Sequence, residues 1–159
     1  MAHRYEATVK WNRNGEDFLD RKYSRGHAWR FDGGVEVPAS ASPQVVKPPY
    51  SREDAVDPEE ALVASTSSCH MLFFVDLASH AGFRIDSYVD EAFGVMDKRA
   101  DGRTAMTEIV LRPAVAFSGD KQPTAEEIAE LHHRAHELCF IANTLNCEVR
   151  VDAPAPTFA

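Results

Sequence analysis

From Tyr5 onward the odd positions Tyr5, Ala7, Val9 and Trp11 are apolar and alternate with polar neighbours, the period-two pattern of a half-buried strand. Asn12-Arg13-Asn14-Gly15 then supplies turn chemistry before Phe18-Leu19, which predicts an amino-terminal hairpin. A third short extended piece is expected over His27–Phe31, closed by Asp32-Gly33-Gly34. Pro38, Pro43, Pro48 and Pro49 crowd the stretch Pro38–Glu53, too many prolines for a helix or an interior strand. Long structureless loops are uncommon in compact domains, so this one is expected to lie on a partner surface or to shape a site.

Asp57-Pro58-Glu59-Glu60 has the grammar of a helix start: an acidic N-cap, proline at the first helical position and a glutamate three residues after the cap. The helix is predicted to run to about Ala81 and to end at Gly82. Between Ala61 and Ala81 only His70, Asp76 and His80 are strongly polar, so it should be mostly buried. Ile85–Asp97 and Ala105–Phe117 read as two long strands around the Asp101-Gly102 turn. Their predicted inward faces are Val89, Phe93, Val95 and Ile109, Leu111, Val115, Phe117. Pro123-Thr124-Ala125-Glu126-Glu127 repeats the capping-box signature, followed by an apolar stripe of Ile128, Leu131, Ala135, Leu138 and Cys139. A final strand is expected over Cys147–Val151, with Cys147, Val149 and Val151 inward. With no βαβαβ alternation, the order favours an α+β fold with a mainly antiparallel sheet. We read one domain over residues 1–159: strands and Pro-rich loop (1–56), central helix (57–82), then strands, second helix and last strand (83–159).

At 159 residues the chain can bury roughly 68–70% of its unfolded surface, so disulfides are not needed to hold a core. Three cysteines is an odd count and no secretory signal is recognised, which predicts a reducing, cytoplasmic location. No apolar run is read as approaching the ~18 residues that span a bilayer, because Met71–Val75 is stopped by Asp76 and His80. A soluble protein without membrane partner is therefore expected. Seventeen Lys and Arg against 25 Asp and Glu give a formal charge of −8, which repels phosphate backbones and argues against nucleic-acid binding. Small neutral or apolar substrates fit better.

Two cysteines sit in apolar helical patterns: Cys69 in Ser67-Ser68-Cys69-His70-Met71-Leu72-Phe73, and Cys139 in His136-Glu137-Leu138-Cys139-Phe140. Together they suggest thiol redox chemistry. A free cysteine titrates near 8.5 and is only about 3% thiolate at pH 7, so a working nucleophile needs help. Cys69 lies about three turns into its helix, beyond reach of the amino-terminal dipole, and burial alone would make it inert. A nearby cation is required, with Arg25 the first candidate and Arg30 the second. The other reading, a buried cysteine acting as a small hydrophobe, stays open for Cys69, is stronger for Cys139 and strongest for Cys147. Cys69 shares its helical stripe with Leu62, Phe73, Asp76 and His80, while His70 points away and is poorly placed as its base. Asp76 either pairs with an arginine or is a core carboxylate satisfied by backbone donors. His132 and His136 are one turn apart with Cys139 a turn beyond, but no further ligands complete a metal site at recognisable spacing. A solvated helix edge is expected there, with His136 able to tune Cys139.

The string Asp57-Pro58-Glu59-Glu60-Ala61-Leu62, with Cys69 ten residues after Glu59, is followed much later by Glu137-Leu138-Cys139-Phe140-Ile141-Ala142-Asn143. This pair of motifs resembles the OsmC/Ohr family, and the likeness extends over nearly the whole chain. The resemblance implies an intertwined homodimer of α+β subunits, with mainly antiparallel sheets wrapped around a long central helix and two thiol peroxidase sites at the interface. It implies that Cys69 attacks a hydroperoxide and Cys139 resolves it, while Glu59 and an arginine, matched to Arg25, organise the pocket. On an unbroken helix Glu59 and Cys69 stand about 15 Å apart along the axis and roughly 80° around it. Either the helix bends or Glu59 serves the partner subunit's site, and the second is expected.

The function expected is thiol-dependent reduction of organic hydroperoxides in defence against oxidative stress, through a redox-active disulfide restored by a small or protein-bound dithiol. Leu72, Phe73 and Phe140 suit an organic peroxide, and no metal, flavin or haem cofactor is implied. The alternative is a non-catalytic stress-responsive dimer or redox sensor that holds an apolar ligand at its interface.

Overall fold

In the computed structural model, which describes residues 2–159, the chain forms two compact units, one ending at Ala61 and the other running from Leu62 to Ala159. The first carries an antiparallel sheet in the order β1 (Ala7–Lys10), β2 (His27–Phe31), β3 (Glu36–Ala39). Val9 faces Trp29 across the first ladder and Ala28 faces Pro38 across the second. The hairpin expected to close on Phe18-Leu19 does not form, because β1 pairs with β2 instead. Phe18 finds its partners in side chains: it stacks on Tyr23 at 4.7 Å and meets Trp11 at 6.0 Å. The Trp11 indole N–H donates to the Ser24 carbonyl at 2.9 Å, closing this aromatic cluster.

Strand β3 was not expected, since it contains Pro38. The proline is tolerated because β3 is flanked by a strand on one side only, and the Pro38 carbonyl accepts from Val56 N–H at 3.1 Å. The proline-rich segment is tied down along its length: Arg52 N–H donates to Ser40 Oγ at 2.9 Å, and Arg25 N–H donates to the Tyr50 carbonyl at 2.8 Å.

Helix α1 spans Pro58–His80. Asp57 Oδ1 accepts from Glu60 N–H at 2.8 Å and Glu60 Oε2 accepts from Asp57 N–H at 3.2 Å, so the capping box is made in both directions. The helix stops where Gly82 takes φ +79° and Phe83 N–H returns to the Ala78 carbonyl at 3.0 Å. Only Thr66, His70, Phe74 and Ala78 are buried, one stripe at four-residue spacing, whereas Leu72 is 63% exposed. The expectation of a mostly buried helix fails for the single chain, because apolar residues surround α1 while its own chain covers one face. Nor did Asp76 and His80 interrupt the apolar run as expected: by length and composition α1 is apolar enough to cross a membrane. Core helices meet the same criterion, so it does not assign a membrane.

In the second unit each predicted long strand is broken in two. Ile85–Asp97 becomes β4 (Arg84–Asp90) and β5 (Phe93–Lys98), and Ala105–Phe117 becomes β6 (Thr104–Leu111) and β7 (Pro113–Ser118). β4 and β7 pair in one sheet, β5 and β6 in another. At the break, Asp90 Oδ1 accepts from Arg112 N–H at 2.6 Å and Asp90 Oδ2 from Ser67 Oγ–H at 2.5 Å, binding both bends to α1. Sequence periodicity carries through such a bend and does not reveal it. Helix α2 (Ala125–Leu138) is capped by Thr124 and Glu127 in a complete capping box. Strand β8 (Glu148–Val151) joins β6 and β9 (Thr157–Phe158) joins β7, both in parallel, so the sheets are mixed although most ladders are antiparallel.

The core joins α1 (Phe74, Ala78), β7 (Val115, Phe117) and α2 (Ile128, Leu131, Ala135), with Phe83. Each large side chain buried there contributes roughly 1.5–3 kcal/mol. Ile109, Leu111, Val115 and Phe117 are inward as expected; Val89, Phe93 and Val95 are exposed, because the break in the strand turns that row away from the helices. Leu138 is also exposed, at the last turn of α2 before the chain departs at Cys139, and Cys147 is half-buried just ahead of β8.

Candidate active site

The two thiols named by the sequence meet in the second unit. Cys69 is half-buried on α1, and Cys139 is fully buried at the carboxyl cap of α2. There ψ turns to 107° and the helix can go no further. The Cys139 sulfur accepts from Ala142 N–H at 3.4 Å and approaches the Thr66 carbonyl at 4.0 Å. Burial pushes the Cys139 thiol up to about 11; the Ala142 N–H opposes this, while neighbouring Cys69 adds to it as hydrogen-bond partner and as charge. All three cysteines are free. Beside the thiols, Phe73 and Phe140 pack edge to face at 5.1 Å, and Leu72 and Phe140 stand exposed as apolar surface.

Arg25 and Glu59 belong to the first unit. The Arg25 guanidinium is held locally: it donates to the Arg21 carbonyl at 2.9 Å and to the Tyr23 carbonyl, and lies over the Tyr23 ring at 3.9 Å. Glu59 is half-buried in the first turn of α1, and its Oε2 is buried with no hydrogen-bond partner among the described residues. Arg25 and Glu59 form no ion pair among the described residues. Arg30 is an exposed residue of β2, opposite Glu36 on β3. Asp76 is not core and pairs with no arginine among the described residues; it is exposed and lies 3.4 Å from His80 one turn on.

The histidines depart most from expectation. His132 is not on a solvated edge: it is buried, stacks on Phe74 at 4.2 Å and shares a hydrogen bond with buried His70, Nε2 to Nδ1 at 3.1 Å. Burial lowers both imidazoles to about 4, with the charges of His132 and His136 adding to the effect on His70, so both are neutral at pH 7. His133 remains outside, 3.5 Å from Glu137. No group of three or more His, Cys, Asp or Glu suited to a metal occurs among the described residues. The sequence held a signal for the pair: the four-residue spacing Thr66, His70, Phe74, Ala78 puts His70 on an otherwise apolar stripe, and His132 lies beside Leu131, one turn from Ile128.

A family model described as OsmC-like protein matches residues 51–153. An OsmC-like protein of unknown function from Vibrio cholerae O1 biovar eltor str. N16961 is 47% identical, with a TM-score of 0.95 over 96% of this chain and 100% of that one. The fold is also similar to an organic hydroperoxide resistance protein from Elizabethkingia anophelis (16% identity, TM-score 0.69, 100% of this chain and 99% of that one). The organic hydroperoxide resistance protein OhrB of Bacillus subtilis is similar as well (18% identity, TM-score 0.66, 96% of this chain and 98% of that one). No curated protein matches. With nearly half its residues shared with one OsmC-like protein and its α+β fold shared throughout, this chain belongs to the OsmC-like family.

Proposed function

We propose that this protein is a thiol-dependent peroxidase that reduces organic hydroperoxides with Cys69 and Cys139, acting as an intertwined homodimer in a reducing cytoplasm. The observation that carries this reading is the meeting of the two thiols. Cys139, pushed by burial up to about 11, stays protonated at neutral pH, which favours its neighbour Cys69 as the attacking sulfur. The similar folds of proteins named for organic hydroperoxide resistance point the same way.

The Cys69 thiolate attacks the peroxide oxygen distal to the organic group. An S–O bond forms, the O–O bond breaks, the alkoxide leaves as alcohol on taking a proton, and the sulfur becomes a sulfenic acid. The Cys139 sulfur then attacks the Cys69 sulfur; the S–S bond forms and the sulfenic oxygen leaves as water with the proton from Cys139. A small or protein-bound dithiol reduces the disulfide by exchange. The exposed Phe140, packed against Phe73, suits the organic part of the substrate.

Arg25 and Glu59 are assigned to organise the peroxide, with the planar guanidinium steadying thiolate and oxygen together. The buried, unpartnered Glu59 oxygen supports a role across the dimer, because a buried carboxylate requires a donor. Exposed Leu72 and Val75 on α1 support the dimer itself.

The deciding experiment is dithiol-dependent consumption of cumene hydroperoxide by the wild type, Cys69→Ser and Cys139→Ser. Loss of turnover in Cys69→Ser, with a trappable sulfenic acid in Cys139→Ser, is the expected result. A wild type without turnover would replace the peroxidase by the ligand-binding dimer.

A further inference from the structure

Helices α1 and α2 meet along a line that runs antiparallel. Thr66 touches Cys139, one turn on His70 bonds His132, and one turn further Phe74 stacks on the same His132. His70 follows Cys69 in the chain, and His132 lies seven residues, about two turns, before Cys139 on the buried face of α2. The imidazole pair is the one hydrogen bond between side chains of the two helices among the described residues.

The pair comes at a cost. His70 Nδ1 and His132 Nε2 are buried without a hydrogen-bond partner, and apolar side chains of similar volume would leave no such atoms. What a directional bond supplies, and packed rings do not, is register. A slip of α2 along α1 by even part of a turn, about 5.4 Å in full, would carry Cys139 away from Cys69. A disulfide needs its Cα atoms about 4.4–6.8 Å apart.

We propose that His70 and His132 are positioning residues for disulfide formation: their hydrogen bond holds α2 in the register from which the Cys139 sulfur reaches Cys69. The inference deepens the two-cysteine reading and rests on it for its biological sense, but the geometry it concerns is testable without a peroxide. No hydrogen bond joins either imidazole to the reacting sulfurs among the described residues, so the proton that Cys139 gives up is assigned to neither. Both are neutral at pH 7, so the bond uses a single shared proton in either direction.

The test exploits amide side chains of different reach. The amide of asparagine overlays histidine Nδ1 and that of glutamine overlays Nε2. His132→Asn and His70→Gln therefore retain the bond, while His132→Phe and His70→Phe lose it. All variants carry Cys147→Ser so that only two thiols remain. In one arm, stoichiometric cumene hydroperoxide is added and the protein quenched with dimedone, separating sulfenic acid from disulfide by mass spectrometry. In the other, 4,4′-dithiodipyridine forms a mixed disulfide on Cys69 with release of one thiopyridone. Attack by Cys139 then closes the protein disulfide and releases a second, read by absorbance.

The expected result is closure slowed roughly tenfold or more in the Phe variants in both arms, near-wild-type closure in the amide variants, and sulfenic acid formation changed by less than about twofold throughout. Closure at the wild-type rate in folded Phe variants overturns the proposal. If the Phe variants do not fold, His132→Gln and His70→Asn, whose amides sit at the wrong reach, take their place with the same two outcomes. A wild type that forms no sulfenic acid yet closes slowly with dithiodipyridine only when the bond is lost refutes the peroxidase reading and leaves the positioning role standing.

Discussion

The Ser67 hydroxyl on α1 donates to Asp90 at 2.5 Å, across 23 positions of sequence, and the other oxygen of Asp90 accepts from Arg112 N–H. One carboxylate thus ties both broken strands to the helix two residues before Cys69. Removing it in Asp90→Ala leaves the Arg112 N–H and the Ser67 hydroxyl without their acceptor. A hydrogen bond to a charged group contributes about 1.5–3 kcal/mol, so a loss of roughly 2–4 kcal/mol is expected, read as a lower urea midpoint with unchanged slope. Asp90→Asn, which keeps one acceptor, should lose less.

At Gly94 the β5–β6 pair closely approaches Val63 of α1. A Cβ placed there would meet Met106 Sδ at 2.5 Å, Met106 Cε at 2.9 Å and Val63 Cγ2 at 2.9 Å. Met106 can swing aside, but Val63 is fixed on the helix and is stiff at χ1. Gly94→Val should therefore cost about 1–3 kcal/mol, and Gly94→Ala less, by the same urea titration. An unchanged midpoint in Gly94→Val would show that α1 is free to move off the sheet.

The histidine pair makes stability depend on pH with a defined sign. Exposed histidine titrates near 6.5, whereas folded His70 and His132 titrate at about 4, chiefly because they are buried. Between those values the unfolded chain binds protons that the folded chain does not. The contribution is complete above pH 6.5 and is lost as the pH falls through 6.5 toward 4. The loss expected is on the order of 2–3 kcal/mol for one histidine, and the two are coupled. Urea midpoints at pH 7.5 and 4.5 give the difference, which should shrink in His132→Phe; a difference of the same size in that variant would assign the effect elsewhere.

Exposed Leu72 and Val75 on α1 should be covered by a second copy of the chain. Leu72→Glu with Val75→Glu should then dissociate the dimer, moving the mass in light scattering from two chains to one. If Glu59 acts across the dimer, the same variant loses peroxide turnover while Cys69 and Cys139 remain. A monomer that turns over at the wild-type rate would place Glu59 in its own chain's site or outside the reaction.

Elements built from local signals were legible in the sequence. Asp57-Pro58-Glu59-Glu60 and Thr124 with Glu127 start two helices because a cap is a contact among four consecutive residues, and Gly82 ends α1 because it takes the left-handed backbone readily. Cys69 and Cys139 stood out for the same reason, as reactive residues in apolar helical patterns. Only the tertiary structure decided what depends on residues far apart in the chain. Asp90 breaks the strands through partners 22 and 23 positions away, β1 chooses β2 over the nearer Phe18-Leu19, and His70 finds His132 across 62 positions. Periodicity reports which face of an element is apolar; it does not report what that face will meet. A polar side chain on such a face is therefore read as solvated until packing supplies its partner, as it does for His132.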